Sequence, residues 1–206
     1  MPTAFSIQPS QTTRLRIWSA QETTHELLHL CNPDAIRLQE WETIRLDKRK
    51  REWLISRLLQ KELIPGSVIM HLPSGKPVIE NGPFISFSHS ENLGGLLVSD
   101  TPCGLDIQRP DQKIMTIRKR FSHSTELLRA PEDPQSALNY FTAIWSAKEA
   151  VFKSFGDSVH FSEDMIIRPF QAHDTTLLLD YSGIHGTKSF TLHRHWLDGF
   201  CVVFTV

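Results

Sequence analysis

Thr101-Pro102-Cys103-Gly104-Leu105-Asp106-Ile107-Gln108 (TPCGLDIQ) divides the chain and sets the reading of its fold. The Thr-Pro step marks a joint, because the residue before proline is driven into extended backbone. CGLDIQ then reads as a buried strand in which Leu105 and Ile107 share one face while Asp106 and Gln108 point to the other. A carboxylate inside an otherwise apolar strand is unfavourable unless it is paired or holds a cation. Asp106 therefore calls for an explanation, the plain alternative being a strand end with a solvated acid.

Working outward, the N-terminal side opens with Arg14 to Trp18 (RLRIW), alternating like a half-buried strand, followed by helical spacing from about Asn32 to Leu63. Pro33 suits a helix start. Trp53, Leu54, Arg57, Leu58 and Lys61 give an inward apolar stripe flanked by bases, and Pro65-Gly66 ends the helix. Three short strand candidates follow, SVIMHL, PFISFS and GGLLVS, separated by the turn segments PSGKP, ENGP and HSEN. Beyond the joint, helical stretches run through Ile114 to Arg129 and Pro134 to Phe155. MIIRPF, TLLLDYS, KSFTLHRHW and GFCVVFTV then form an antiparallel series with turn signals at Ser182-Gly183 and Asp198-Gly199. Each half thus runs from a strand through helices to several strands. The expectation is an α+β fold of two similar subdomains, 1–102 and 103–206, related by a pseudo-twofold, with antiparallel sheets and an active site in the cleft between them.

Bulk properties narrow the function classes. A chain of 206 residues, 40% hydrophobic, can bury a full core, and a formal charge of −1 argues against a general nucleic-acid coat. Cys31, Cys103 and Cys201 are odd in number, widely spaced and without ligand spacing, so neither a disulfide framework nor a zinc site is expected. The start shows no basic segment followed by an apolar one, and no stretch approaches the ~18 apolar residues of a membrane span. The expectation is a cytoplasmic protein with no nucleic-acid or membrane partner.

Four segments can carry chemistry. WSAKEAVFKSFG, Trp145 to Gly156, places Trp145, Glu149, Phe152 and Lys153 within reach through i, i+3 and i+4 spacing. It is either a surface Glu149–Lys153 pair or half of a metal–diphosphate site, with Glu149 on Mg²⁺ and Lys148 or Lys153 on phosphate oxygens. GLDIQ supplies Asp106, and a strand carboxylate opposite a helix carboxylate makes a plausible cage for a hard cation. FISFSHS delivers Ser88, His89 and Ser90 to a turn, where hydroxyls and imidazole serve either structure or a phosphate. Gly75-Lys76-Pro77 precedes it and aims Lys76 outward. In the basic run Lys48-Arg49-Lys50-Arg51, Arg51 is spaced from Lys61 such that both could flank one anion groove, or the run is a solvated face.

In this order the segments KRKREWLISRLL, SGKP, FSFSHS, GLDIQ, RFSHSTE and WSAKEAVFK resemble the 4′-phosphopantetheinyl transferase superfamily, specifically its single-chain Sfp-type members built from two similar halves. The resemblance implies Mg²⁺-dependent transfer of the phosphopantetheine arm of coenzyme A to a serine of an apo acyl or peptidyl carrier protein, releasing 3′,5′-ADP, in fatty-acid, polyketide or peptide synthesis. It makes Asp106 and Glu149 the metal ligands, with Gln108 standing where many members carry a glutamate. It sets Lys153 on the diphosphate, His89 with Ser88 in the phosphate-binding Ser-His-Ser turn, Lys76 in the Gly-Lys-Pro loop and Arg51 on the 3′-phosphate. Glu126, in RFSHSTE, aligns with a candidate general base. Two halves in one chain can close a cleft without a second subunit, so a monomer is expected. The competing readings are a non-catalytic module binding coenzyme A or a carrier protein, and a metal-dependent phosphohydrolase.

Overall fold

The computed structural model describes residues 3–155, 159–184 and 186–205. Gly156, which closes the WSAKEAVFKSFG segment, and Val206, which closes GFCVVFTV, lie outside them. The fold is α+β. A first antiparallel sheet is ordered β1 (Thr3–Ile7), β2 (Arg14–Ser19), β6 (Leu93–Ser99), β5 (Phe84–Ser90). A second is ordered β7 (Leu105–Gln108), β11 (Phe200–Thr205), β10 (Gly186–Leu197), β9 (Thr176–Gly183), β8 (Met165–Ile167). A small hairpin, β3 (Ile69–His71) with β4 (Pro77–Ile79), stands apart.

Strand alternation explains how the layers stack. Leu15 and Ile17 of β2, Leu93 and Leu97 of β6, Leu105 and Ile107 of β7, and Phe200, Val202 and Phe204 of β11 form one buried cluster, which is the seam where the two sheets meet. The opposite faces look outward to helices. Trp18, Leu96 and Val98 pack with α1 (Thr24–Cys31) and α3 (Asp47–Leu63). Cys201 and Val203 pack with α4 (Gln112–Phe121) and α6 (Pro134–Phe155), beyond the short α5 (Ser124–Leu128). Strands buried on both faces lose the polar alternation of a solvated sheet, and all seven residues of β6 are buried.

Two serine hydroxyls join the sheets. The Leu105 and Ile107 amides on the free edge of β7 have no strand neighbour. They donate instead to Ser86 Oγ and Ser88 Oγ of β5, each at 2.9 Å. Buried amides require acceptors, and the serines extend the ladder where backbone pairing stops.

The stretch read as helical from about Asn32 to Leu63 holds two helices, α2 (Ala35–Thr43) and α3, and α1, which that reading did not include, precedes it. Asn32 takes a left-handed φ of 39° that ends α1, Asp34 caps α2 by accepting from the Arg37 amide, and extended backbone at Ile44 and Leu46 separates α2 from α3. Pro134 to Phe155 is one helix, as its spacing indicates. The Asp198-Gly199 turn is observed, with both residues at positive φ, whereas β9 continues through Gly183 so that its hairpin turns later than Ser182-Gly183.

Candidate active site

The site assembles where β7 meets α6. Gly104 has no side chain because a β-carbon there would lie 1.7 Å from the Ala150 carbonyl oxygen. That close approach sets helix α6 against β7, with Glu149 and Lys153 beside Asp106. Lys153 Nζ donates to Asp106 Oδ1 at 2.9 Å and to the Leu105 carbonyl at 2.8 Å. The helix lysine therefore pairs with the strand aspartate rather than with Glu149. Burial, reinforced by the Asp106 charge and opposed by Lys153, pushes the Glu149 carboxyl up to about 7.

Asp106 is 6% exposed and its Oδ2 is buried with no hydrogen-bond partner. Such an atom is costly unless a ligand completes it. Asp106 and Gln108 lie on one face of β7, and Gln108 Nε2 donates to the Arg109 carbonyl at 2.8 Å, so Oε1 is the atom left to reach a cation or its water. An orphaned carboxylate oxygen beside a second, charge-burdened carboxylate suits a hard, oxygen-seeking dication. Among the described residues no group of three or more His, Cys, Asp and Glu that could hold a metal ion gathers.

A cavity of about 560 Å³ opens next to this pair, lined by Arg49, Trp53 and Arg57 of α3, Lys76 of the β3–β4 hairpin, His89 of β5 and Lys153 of α6 among others. Its lining includes Lys153 but neither carboxylate, so Lys153 is the link between cavity and acidic pair. Arg57 stacks over Trp53 with 4.9 Å from guanidinium to ring, and its Nε is buried without a partner. Burial pulls its pKa down, with Arg37 adding to the effect. His89 Nε2 is 3.0 Å from Ser56 Oγ, which donates to the Glu52 carbonyl. Burial, opposed by Glu52 and reinforced by Lys153 and Arg49, brings His89 down to about 4, so it is neutral at pH 7. Lys76 Nζ donates to the Ser154 carbonyl at 2.7 Å, closing the hairpin onto the end of α6.

Lys76, His89, Asp106, Glu149 and Lys153 are thus brought together, with Gln108 at the margin. Other residues singled out in the sequence stand elsewhere. Arg51 is not in the cavity lining: it donates to the Glu22 carbonyl at 2.6 Å, and Lys61 donates to the Cys31 carbonyl, so both brace α1 instead of flanking a groove. Ten residues is nearly three turns of helix but leaves the two on different faces. Arg49 and Arg57, with Trp53 and Ser56, are the cavity face that the run KRKREWLISR conceals, and their i, i+4, i+7, i+8 spacing is the signal that reveals it. Ser88 Oγ is engaged by the Ile107 amide and also contacts Asp106 and Lys153 at 3.4 Å, a bracing position under the site. Lys148 and Glu126 are both fully buried and pair with each other at 2.7 Å, away from the cleft.

The structure is a two-sheet α+β protein that sets a cationic cavity against a buried carboxylate pair. Residues 102–204 match the ACPS family, described as the 4′-phosphopantetheinyl transferase superfamily. The chain belongs to that superfamily. It is 34% identical over 114 residues to the 4′-phosphopantetheinyl transferase HetI of Nostoc sp., covering 50% of this chain and 48% of that one. It is 30% identical over 133 residues to AcpT of Salmonella typhimurium, covering 61% and 67%, and 36% identical over 93 residues to psf-1 of Bacillus pumilus, covering 43% and 39%. The chain thus spans about half the length of the HetI relative and less of psf-1.

Proposed function

We propose that this protein transfers the 4′-phosphopantetheine arm of coenzyme A to a serine hydroxyl of an apo acyl or peptidyl carrier protein, releasing 3′,5′-ADP. The observation that carries this reading is the cavity lined by Arg49, Arg57, Lys76, His89 and Lys153 beside the Asp106–Glu149 pair. Four cations on one lining, of which Arg49 pairs with Glu52 and Lys153 with Asp106, suit a ligand with several phosphates. On this reading Arg49 and Arg57, not Arg51, hold the outlying phosphate monoester, and Trp53 offers an aromatic face. Lys153 binds the diphosphate, and His89, neutral when empty, releases Ser56 Oγ for its Nε2–H to reach a phosphate oxygen. Residues 1–102 and 103–206 are read as the two halves of one catalytic unit.

Asp106 and Glu149 would hold Mg²⁺, with Gln108 directly or through water. When bound, the ion would neutralise charge on the diphosphate and polarise the phosphorus under attack. The serine oxygen forms the new P–O bond as the anhydride bond to 3′,5′-ADP breaks, and Lys153 meets the charge that develops on the leaving oxygen. With Glu126 sealed in a buried ion pair and Glu149 assigned to the cation, the serine proton passes to a water in the site.

Among the described residues no helix is long and apolar enough to cross a membrane, and all three cysteines are free and buried. Free, buried thiols fit a reducing compartment, and two halves in one chain fit a monomer. The test is mass spectrometry of apo carrier proteins incubated with the protein, coenzyme A and Mg²⁺, with a chelated control. A metal-dependent gain of the phosphopantetheine mass is expected, abolished by D106A or E149A. Coenzyme A binding without any gain would turn the assignment to a non-catalytic binding module, and hydrolysis of coenzyme A without carrier to a phosphohydrolase.

A further inference from the structure

Glu126 and Lys148 are 0% exposed, and every polar atom of the pair is engaged. Lys148 Nζ donates to Glu126 Oε2 at 2.7 Å, to the Phe121 carbonyl at 2.8 Å and to the Phe161 carbonyl at 2.9 Å, which uses all three of its hydrogens. Glu126 Oε2 also accepts from the His123 amide and Oε1 from the Ile167 amide, both at 2.7 Å. One ion pair therefore ties the end of α4, the start of α5, the segment before β8 and β8 itself to a single point on α6. A buried pair adds little net stability over apolar side chains of the same volume, so its presence calls for another reason.

Position supplies that reason. Lys148 immediately precedes Glu149, and Ala150 immediately follows it with its carbonyl oxygen pressed against Gly104. The residues on either side of Glu149 are held by different parts of the fold, one through three charge-assisted hydrogen bonds and the other through steric contact with β7. A helix fixed at both neighbours cannot rotate about its axis at the residue between. One turn further on, Lys153 inherits the same orientation.

We infer that the Glu126–Lys148 pair is a positioning device: it fixes the rotation of α6 so that Glu149 and Lys153 face Asp106. This rests on the function proposed above, and it gives Glu126 a role other than that of a base. Neither residue touches substrate; both act through Glu149 and Lys153.

The experiment compares the double variant Lys148→Met/Glu126→Gln, which removes both charges together, with Glu126→Asp, which keeps both charges and shortens the reach. For each, kcat and KM for coenzyme A are measured alongside hydrogen–deuterium exchange of the α6 amides. The expected result is a fall in kcat of about 10- to 100-fold, the size of effect a displacement near 1 Å produces. KM for coenzyme A should rise by a smaller factor than kcat falls, since Lys153 moves while the cavity arginines stay in place, and α6 exchange should rise around Glu149. Unchanged kcat in Glu126→Asp, or a loss confined to KM, overturns the inference. So does lost kcat with α6 exchange unchanged, which would return Glu126 to a direct catalytic role. If the double variant does not fold, Glu126→Asp decides alone. Absence of transfer by the wild-type protein would defeat the proposed function while the exchange comparison still judges the positioning.

Discussion

The backbone of Gly104 lies against the carbonyl of Ala150 so closely that a β-carbon would stand 1.7 Å from that oxygen. Two residues later Asp106 meets Lys153 at 2.9 Å. The contact and the ion pair are one geometrical fact, because the first sets the separation at which the second forms. Gly104 is not required for an unusual backbone angle; it is required for closeness. G104A is expected to force α6 outward, destabilising the protein by about 3 kcal/mol or more through overpacking, and to abolish transfer. Urea unfolding together with the transfer assay checks this, and wild-type stability would refute it.

Glu149 and His89 titrate with opposite consequences. The Glu149 carboxyl is raised from 4.5 to about 7 in the folded protein, so its contribution to stability is fully present below about 4.5 and lost as pH rises through about 7. His89 is lowered from 6.5 to about 4, so its contribution is present above about 6.5 and lost as pH falls through about 4. Between about 4.5 and 6.5 the two offset each other in metal-free protein. E149Q should therefore leave stability that falls on acidification across this window, and H89Q stability that rises. Thermal unfolding at half-unit pH intervals reads both slopes, and parallel curves for the two variants would refute the assignment.

The arginines of α3 divide by face. R49A and R57A each remove a guanidinium from the cavity and should raise KM for coenzyme A about 10-fold or more, as expected for a charged hydrogen bond. R51A should leave KM within about twofold and lower stability slightly, since Arg51 holds the carbonyls of Glu22 and Ala20. Steady-state kinetics on the three variants decides, and a KM effect at Arg51 equal to that at Arg57 would refute the face assignment.

Ser86 and Ser88 supply the acceptors for the edge of β7. S86A should orphan the Leu105 amide and cost about 1–3 kcal/mol, with kcat unchanged. S88A should cost a similar amount and in addition lower kcat, because Ser88 Oγ also lies 3.4 Å from both Asp106 and Lys153. Chemical denaturation and kinetics on the pair separate bracing from catalysis.

Much of the chain is legible from local pattern. The span of α6, the alternation that puts Leu105 and Ile107 in the seam, the Asp198-Gly199 turn and the α+β class all follow from periodicity and turn chemistry. The short strands β1 and β4 escaped because β1 lies in the N-terminal lead and β4 begins at Pro77, inside a segment whose composition reads as a turn. Helix α1 and the break between α2 and α3 escaped, the break because it rests on extended Ile44 and Leu46 with no glycine or proline to mark it.

By itself the sequence determined which residues share a face: Asp106 with Gln108 on a strand, and Glu149 with Lys153 on a helix. Only the tertiary structure decided what each face meets. Arg49 and Arg57 face a cavity while Arg51 faces α1, Lys153 crosses to Asp106, and Lys148, one residue from Glu149, is enclosed with Glu126. The physical reason is that helical and strand periods fix relative direction within an element, whereas the rotation of one element against another comes from contacts distant in sequence. Gly104 against Ala150 and Ser88 against Ile107 are such contacts, and they turn two locally legible motifs into one site.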